Sequence, residues 1–549
     1  MSKIIRLMIL IIICLAFLLA LTNLYLYFGV FDGDPLIHVA YAEQASQGNW
    51  FRFNPTEISS GVTSYLWMFT GALGWKFGGV KGCLFIYDVL IFLSWIGCAF
   101  MLYKLIVSWG GKPLFGILAG ALFLSFPGIG ATSLTGMENM TYSFLFFLFL
   151  YAYHRVSSAG SASGPLLSGA VLGLLAGLQI LIRPEGYVVA LIYAGYELWR
   201  ILSCGSKEER KIIFRRLFWT ASTALVIVAP VWILHYSITG HLFPESGTAR
   251  LMSARRASTA YHLFGPFWLY ARTIFRLGIY FPISAVLFYV FYWFLIPKRA
   301  GRRESRLMPD YHSLKLSVYS IGAGILLYTL GTGALHVNRY TIWILGLVTA
   351  LFALSISNLI DSKGKGMTAL AMAAVFLAIV IISGEAIFRY RRGDSLKLQG
   401  WNKIQSAVNN REIQTDKLMA LLSRNGMDID NLPLGLLIQE VQVRLCYDDR
   451  IKIVSRDGRT SDLNYSTTGC PDLGPLVRSN EVQVIMDDIN GGTILRCIQD
   501  EELLKISQLY WSSEVIENPS WKKISYIDYP ELMHWDTKQR QQKPILLKK

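Results

Sequence analysis

The stretch from Leu7 to Asp34, LMILIIICLAFLLALTNLYLYFGVFDGD, decides how the rest of the chain is read. It holds no charge from Leu7 to Val30, and Lys3 and Arg6 precede it. Secretory signals carry an apolar run of only ~7–15 residues and a small-x-small cleavage site. This run is longer and shows no such site, so it reads as an uncleaved first membrane-crossing helix. Two carboxylates follow at once, Asp32 and Asp34, at the lip of the membrane, where desolvation raises the cost of charge. Asp34 suits an N-cap, with Pro35 at the first helical position. A cap explains one acid and leaves the second unexplained. His38 lies one helical turn beyond Asp34, within reach of a shared proton or hydrogen bond.

Outward from this stretch, apolar runs continue to about residue 390, and the remainder has ordinary polarity. The 549-residue chain is 53% hydrophobic and 16% charged, where a soluble domain carries about a quarter charged residues. The expected organisation is a membrane domain, 1–389, followed by a soluble domain, 390–549. The net charge of +15 could suit a nucleic acid. No basic face or recognition motif accompanies it, so nucleic acid is not an expected partner. The cationic residues instead fall between apolar segments, where they set topology.

Spans are expected at about 5–28, 82–105, 113–129, 139–154, 165–182, 185–203, 214–236, 278–296, 313–332, 339–357 and 367–388, each near the length a ~30 Å hydrocarbon layer requires. Residues 61–79 are apolar but glycine-rich and carry Lys76, and they read as interfacial. With that choice Lys104, Lys112, His154, Arg155, the basic run 207–216, the run 298–303, Lys363 and Lys365 all fall on one side. The positive-inside rule makes that side cytoplasmic. The expectation is a membrane all-α protein of about eleven transmembrane helices, multi-pass in the inner membrane. Its N-terminus is cytoplasmic, and the C-terminal α+β domain is periplasmic or extracellular. That domain opens with a helical pattern around Trp401–Leu422 and continues in short alternating apolar runs. Cys14, Cys83, Cys98 and Cys204 lie in or beside apolar segments and read as packing residues. Cys446, Cys470 and Cys497 match no zinc spacing; in an exported domain they allow one disulfide and one free thiol.

The first outer loop interleaves aromatic and polar residues, with Trp50, Phe51, Phe53, Tyr65 and Trp67 among them. The pattern suits the headgroup layer and equally a sugar, which stacks an apolar face and needs hydrogen bonds at its rim. Here a resemblance becomes specific. The acidic pair, then Tyr41-Ala42, Gly48, Phe53-Asn54-Pro55, Glu57, Gly61 and Thr63-Ser64-Tyr65-Leu66-Trp67, resembles the bacterial GT-C glycosyltransferases. The branch is that of the mycobacterial terminal arabinofuranosyltransferases and related lipid-linked sugar transferases. Gly136-Met137-Glu138 resembles that branch's GME turn, Arg183-Pro184-Glu185-Gly186 its RPEG turn, and Gly240–Ser246 its YG..LPN loop with Glu for Asn. Arg339-Tyr340 resembles its RY, at the start of a late span. The branch places two aspartates side by side, followed by an aromatic residue and an Arg. Here Gly33 separates them, Leu36 replaces the aromatic, and Ala40 stands where the Arg belongs, so either Asp is open as the base.

The resemblance implies an inverting hexosyl- or pentosyltransferase of the cell envelope. Its donor is a polyprenyl-phosphate sugar, and its acceptor is a glycan, lipid or protein hydroxyl on the outer face. Such chemistry needs a carboxylate base, with Asp34 first and Asp32 second. It also needs cations for the departing lipid phosphate, with Arg183, Arg250, Arg255, Arg256 and Arg339 as candidates. Arginines at 250–256 are notable in an outer loop, where they are normally sparse. Glu138, His38, Tyr65 and Tyr340 complete the expected substrate-binding set. No clustered His, Cys and carboxylate spacing calls for a metal; Glu138 with an Asp leaves a divalent cation open. Glu185 is expected to pair with Arg183 or a neighbour and hold the turn rather than act in the chemistry. The alternative is a transporter or flippase of lipid-linked sugars, which would carry internal repeats and mid-membrane charges. No repeat stands out, and these acids sit at helix ends.

Overall fold

The computed structural model describes residues 3–31, 35–126, 129–130, 133–158, 164–242, 244, 312–331, 342–362, 383–384, 399–424, 429, 434–438, 449–455, 484–486, 521–525 and 544–548. Asp32, Asp34, Arg250, Arg255, Arg256, Arg339 and Tyr340 lie outside these residues, as do Cys446, Cys470, Cys497, the domain boundary at 389/390, and the spans expected at 278–296 and 367–388.

The first helix, α1, covers Lys3–Tyr27 and ends in a two-residue strand, β1, at Val30–Phe31. Then come α2 at Pro35–Ser46, α3 at Tyr65–Ser108, α4 at Pro113–Ser125, α5 at Asn139–Ser158, α6 at Pro165–Ile182, α7 at Glu185–Ser203 and α8 at Lys207–Thr239. Two further helices, α9 at His312–Gly331 and α10 at Ile342–Ser362, pack on the same assembly. Four helices among the described residues, α1, α3, α6 and α8, are long and apolar enough to cross a membrane. The helices α4 and α10 are shorter apolar ones. The expected spans 139–154 and 185–203 also form as helices, but α7 carries Glu185, Glu197 and Arg200 and is less apolar. Large apolar side chains such as Leu10, Phe17, Leu18, Leu225 and Ile233 stand exposed. Such a surface is stable against lipid and costly against water.

The interfacial reading of 61–79 meets a specific structure. Gly78 and Gly79 break α3, and Gly79 has φ +57°, a left-handed conformation that suits glycine. The arm before the break folds back on the arm after it. Trp67 stacks on Tyr87 with centroids 4.4 Å apart. A Cβ on Gly74 would meet the Gly82 carbonyl oxygen at 2.6 Å. Residues 65–77 therefore form one arm of a hairpin beside the start of the 80–108 arm. A second close approach joins α6 to α8: Gly169, Gly173 and Gly177 place their Cα atoms against Trp219, Thr220 and Ile227. Small residues every fourth position let two helix backbones approach within a membrane.

The polar contacts sort to two ends. At one end Trp109 Nε1 donates to Ser313 Oγ (2.9 Å), His154 Nδ1 lies 3.2 Å from the same oxygen, and the Lys112 amide donates to Ser357 Oγ. Buried Glu197 sits at that end too, accepting from Tyr153, Arg200 and Arg216. The residues that positive charge grouped on one side (the loops at 104–112, 154–155 and 207–216) thus lie together. The opposite end carries the loop after α1, the 136–138 turn and the 183–186 turn.

Residues 399–411 reach back to that opposite end. Strand β2, Gln399–Gly400, pairs antiparallel with β1, Val30 opposite Gly400 and Phe31 opposite Gln399. Helix α11, Trp401–Asn409, starts with an indole Nε1 that donates to Asp88 Oδ2 on α3 (2.8 Å). Helix α12, Arg411–Arg424, begins at Arg411, which is ion-paired to buried Glu43 of α2. Five short strands then form a mixed sheet: β3 at Leu434–Ile438, β4 at Ile451–Ser455, β5 at Val484–Met486, β6 at Trp521–Ser525 and β7 at Pro544–Lys548. Their order is β4-β3-β5-β7-β6, parallel on either side of β3 and antiparallel on either side of β7.

Candidate functional site

The site is organised by two turns that the sequence marks. Arg183 closes α6 in an extended conformation (φ −155°, ψ 142°), as a residue before proline prefers. Pro184 then takes helical angles and Glu185 opens α7. This brings the side chains at 183 and 185 side by side. Arg183 Nε donates to Glu185 Oε2 (3.1 Å) and Nη2 to Oε1 (2.9 Å), a two-pronged pair. Glu185 thus holds the turn as its spacing implied.

Gly136 supplies the second turn with φ +91°. A Cβ there would meet Phe31 Cδ1 at 2.2 Å and Pro35 Cβ at 2.9 Å. Trp67 Nε1 donates to the Gly136 carbonyl oxygen (3.2 Å). The two residues that bracket 32–34, Phe31 and Pro35, therefore pack directly on the turn that presents Glu138. Glu138 is buried, and its Oε1 accepts from Arg183 Nη1 at 2.6 Å. The same Nη1 donates to the side-chain oxygen of Asn139. Nε2 of His38 lies 3.6 Å from Glu138 Oε2. The structure thus joins three expected site residues, His38, Glu138 and Arg183, into one buried cluster. Two carboxylates face one guanidinium, whose Nε, Nη1 and Nη2 all donate to protein acceptors.

Tyr65 sits in a different grouping. Its ring contacts Phe51 (centroids 5.9 Å) and His235 (5.4 Å), and Phe51 meets His235 edge-on at 5.0 Å. All three are buried. Phe51 holds φ +54°, rare for a bulky residue. His235, on α8, was not singled out in the sequence; its one signal is a lone imidazole in an apolar helix.

Four buried polar atoms around Arg183 have no hydrogen-bond partner among the described residues: Glu138 Oε2, Asn139 Nδ2, Tyr142 Oη and Gln179 Oε1. Each such group costs about 1–3 kcal/mol when left unmatched. Asn139 and Tyr142 share one face of α5 at i, i+3, and Gln179 lies one turn before Arg183 on α6. Tyr142 is within electrostatic range of Glu185 and Arg183. None of these three was legible as functional: an Asn opening a helix reads as a cap, and a Tyr in an aromatic run as packing. Among the described residues no three His, Cys, Asp or Glu side chains are grouped to hold a metal ion.

Comparison with known proteins identifies the fold. No protein-family model and no curated relative matches the sequence. The chain shares its fold with solved structures of an archaeal oligosaccharyltransferase and of ArnT. The oligosaccharyltransferase AglB from Archaeoglobus fulgidus, solved with an inhibitory peptide and a dolichol-phosphate, superposes with TM-score 0.56 at 12% identity over 93% of this chain and 73% of its own. The same archaeal enzyme in complex with Zn and sulfate gives TM-score 0.55 at 12% identity, over 90% of this chain and 71% of its own. ArnT from Cupriavidus metallidurans, bound to undecaprenyl phosphate, gives TM-score 0.50 at 13% identity, over 98% and 97% of the two chains. At these identities the likeness is one of fold.

Proposed function

We propose that this chain is an inverting glycosyltransferase that moves a monosaccharide from a polyprenyl phosphate to a hydroxyl of a glycan, lipid or protein at the outer face of the membrane. The observation that carries the reading is the packing of Phe31 and Pro35, the brackets of the acidic pair, on the Gly136 turn that presents Glu138. It stands in a fold whose solved examples hold polyprenyl phosphates. The N-terminus is cytoplasmic and the C-terminal domain external, in keeping with the shared side of the basic loops.

In this reading Asp34, or Asp32, takes the proton of the acceptor hydroxyl as its oxygen attacks the anomeric carbon. The bond to the lipid phosphate breaks on the opposite face, which inverts the centre. Arg250, Arg255 and Arg339, with Tyr340, stabilise the charge on the departing phosphate. Arg183 acts as the clamp that orients Glu138, and His38, Glu138 and Tyr65 shape the substrate-binding region.

The test uses purified protein in nanodiscs with radiolabelled undecaprenyl-phosphate sugars and candidate acceptors, in Mg²⁺ and in EDTA. Wild type should transfer label. Asp34→Asn or Asp32→Asn should reduce transfer by about 10²-fold or more, the scale of general-base catalysis. If both variants and their double transfer sugar like wild type, the assignment of the base is wrong. Transport of the intact lipid-linked sugar without glycosidic bond formation would overturn the transferase reading itself. The EDTA arm decides whether a divalent ion takes part.

A further inference from the structure

The unmatched polar atoms beside Arg183 are not interchangeable, and their orientations are fixed. Asn139 Oδ1 accepts from the Arg183 guanidinium, which has no acceptor to offer in return. The amide cannot be turned over, so Nδ2 is a donor facing away from Arg183. Gln179 Nε2 donates to the Leu175 carbonyl oxygen (3.2 Å), which likewise fixes Oε1 as an unmatched acceptor. Tyr142 Oη can donate and accept. Glu138 uses Oε1 on Arg183; its Oε2 makes no hydrogen bond and lies 3.6 Å from His38 Nε2, so it remains a charged acceptor.

This set discriminates among ligands. The carboxylates of Glu138 and Glu185 outnumber the single Arg183 charge, so a phosphate would be repelled. A divalent cation would meet only one charged oxygen and an outward-facing amide N–H. A neutral ring with vicinal hydroxyl groups matches an alternation of donor, acceptor and dual-role hydroxyl. We infer that Asn139, Tyr142, Gln179 and Glu138 Oε2 form a binding site for the hydroxyl groups of a sugar ring, with Tyr142 and Asn139 as its specificity-determining residues. The inference rests on the glycosyl-transfer reading and deepens it. It assigns sugar selection to residues of α5 and α6, a role separate from those given to the acidic pair and to the arginines expected on the lipid phosphate.

Tyr142→Phe removes one hydroxyl and keeps the ring. Full-length protein in nanodiscs is assayed with undecaprenyl-phosphate hexoses and pentoses and with their monodeoxy analogues. For the best parent sugar, kcat/KM should fall about tenfold, the scale of one neutral hydrogen bond. For the one deoxy analogue that lacks the hydroxyl read by Tyr142, wild type and variant should be equal. Asn139→Asp, which keeps the acceptor toward Arg183 and removes the amide donor, should single out a different deoxy analogue. Thermal stability of Tyr142→Phe should match or exceed wild type. A uniform loss across all analogues, or no loss at all, would overturn the inference and leave the atoms to buried water or packing. In parallel, the stabilisation of wild type and Tyr142→Phe by methyl glycosides is read as a Tm shift. Glycosides that stabilise wild type but not the variant, in a protein that transfers nothing, would retain the site and reject the transferase. Glycosides that stabilise both equally, or neither, would reject the site.

Discussion

Arg411, the first residue of α12, reaches across the chain to the buried carboxylate of Glu43 on α2, the helix that begins directly after the acidic pair. Glu43 is 2% exposed, and the Arg411 side chain is about a third exposed. Removing one partner of a fully buried pair costs about 3–5 kcal/mol. Solvent at Arg411 screens this one, so Arg411→Ala should cost about 1–2 kcal/mol. A Tm lower by a few degrees and faster proteolysis after residue 390 are expected. Unchanged protease protection would show that the tail is held without this pair.

The Arg183 fork tests whether geometry or charge holds the cluster. Lysine keeps the charge but cannot bridge Glu185 through two nitrogens while reaching Glu138 and Asn139. Arg183→Lys should therefore lower Tm and reduce transfer by at least about tenfold, a loss of roughly 1.4 kcal/mol. Equal activity in the lysine variant would show that charge alone suffices.

A methyl group at 136 probes the contact between the turn and the loop after α1. Gly136→Ala puts an L-residue at φ +91° and a Cβ 2.2 Å from Phe31. The conformation alone costs about 1–2 kcal/mol, and Phe31 must also move. Transfer should fall well beyond what the Tm shift accounts for, because the displaced residue borders the acidic pair. A loss of stability with kcat/KM intact would break the proposed coupling.

The opposite end supplies a control. Glu197 is fully buried between Arg200 and Arg216 and accepts from Tyr153. Glu197→Gln leaves buried Arg216 without its carboxylate, while Arg200 keeps the exposed Glu209 at 3.6 Å, and should cost about 3–5 kcal/mol. The expected result is a large Tm drop with KM for donor and acceptor unchanged in the surviving folded fraction. An altered KM would mean that this end communicates with substrate.

How much was legible in the sequence follows from the range of the interactions. The helices at 165–182 and 185–203 are legible to the residue, because apolar length and the Pro-Glu turn are local signals. The Arg183–Glu185 pair is equally local. The hairpin at Gly78–Gly79 is half legible: glycines and Lys76 argue against an ordinary span, yet nothing local says that Trp67 stacks on Tyr87. The joining of His38, Glu138 and Arg183 comes from three separate helix ends and leaves no local trace beyond the charged residues themselves. Asn139, Tyr142 and Gln179 escape notice for a different reason: their distinguishing property is a missing partner, which exists only once the chain has folded.

The contacts from the tail also impose an order of assembly. Trp401 meets Asp88 across 313 residues of chain, and Arg411 meets Glu43 across 368. A chain emerging from the ribosome N-terminus first inserts α1 and its loop long before residue 399 exists. Until then β1 lacks its partner β2, and Glu43 lacks Arg411. Long-range closures of this kind are slow to form. The region around the acidic pair is thus the first to be made and among the last to be finished, so a polypeptide interrupted before residue 411 is left without this clasp.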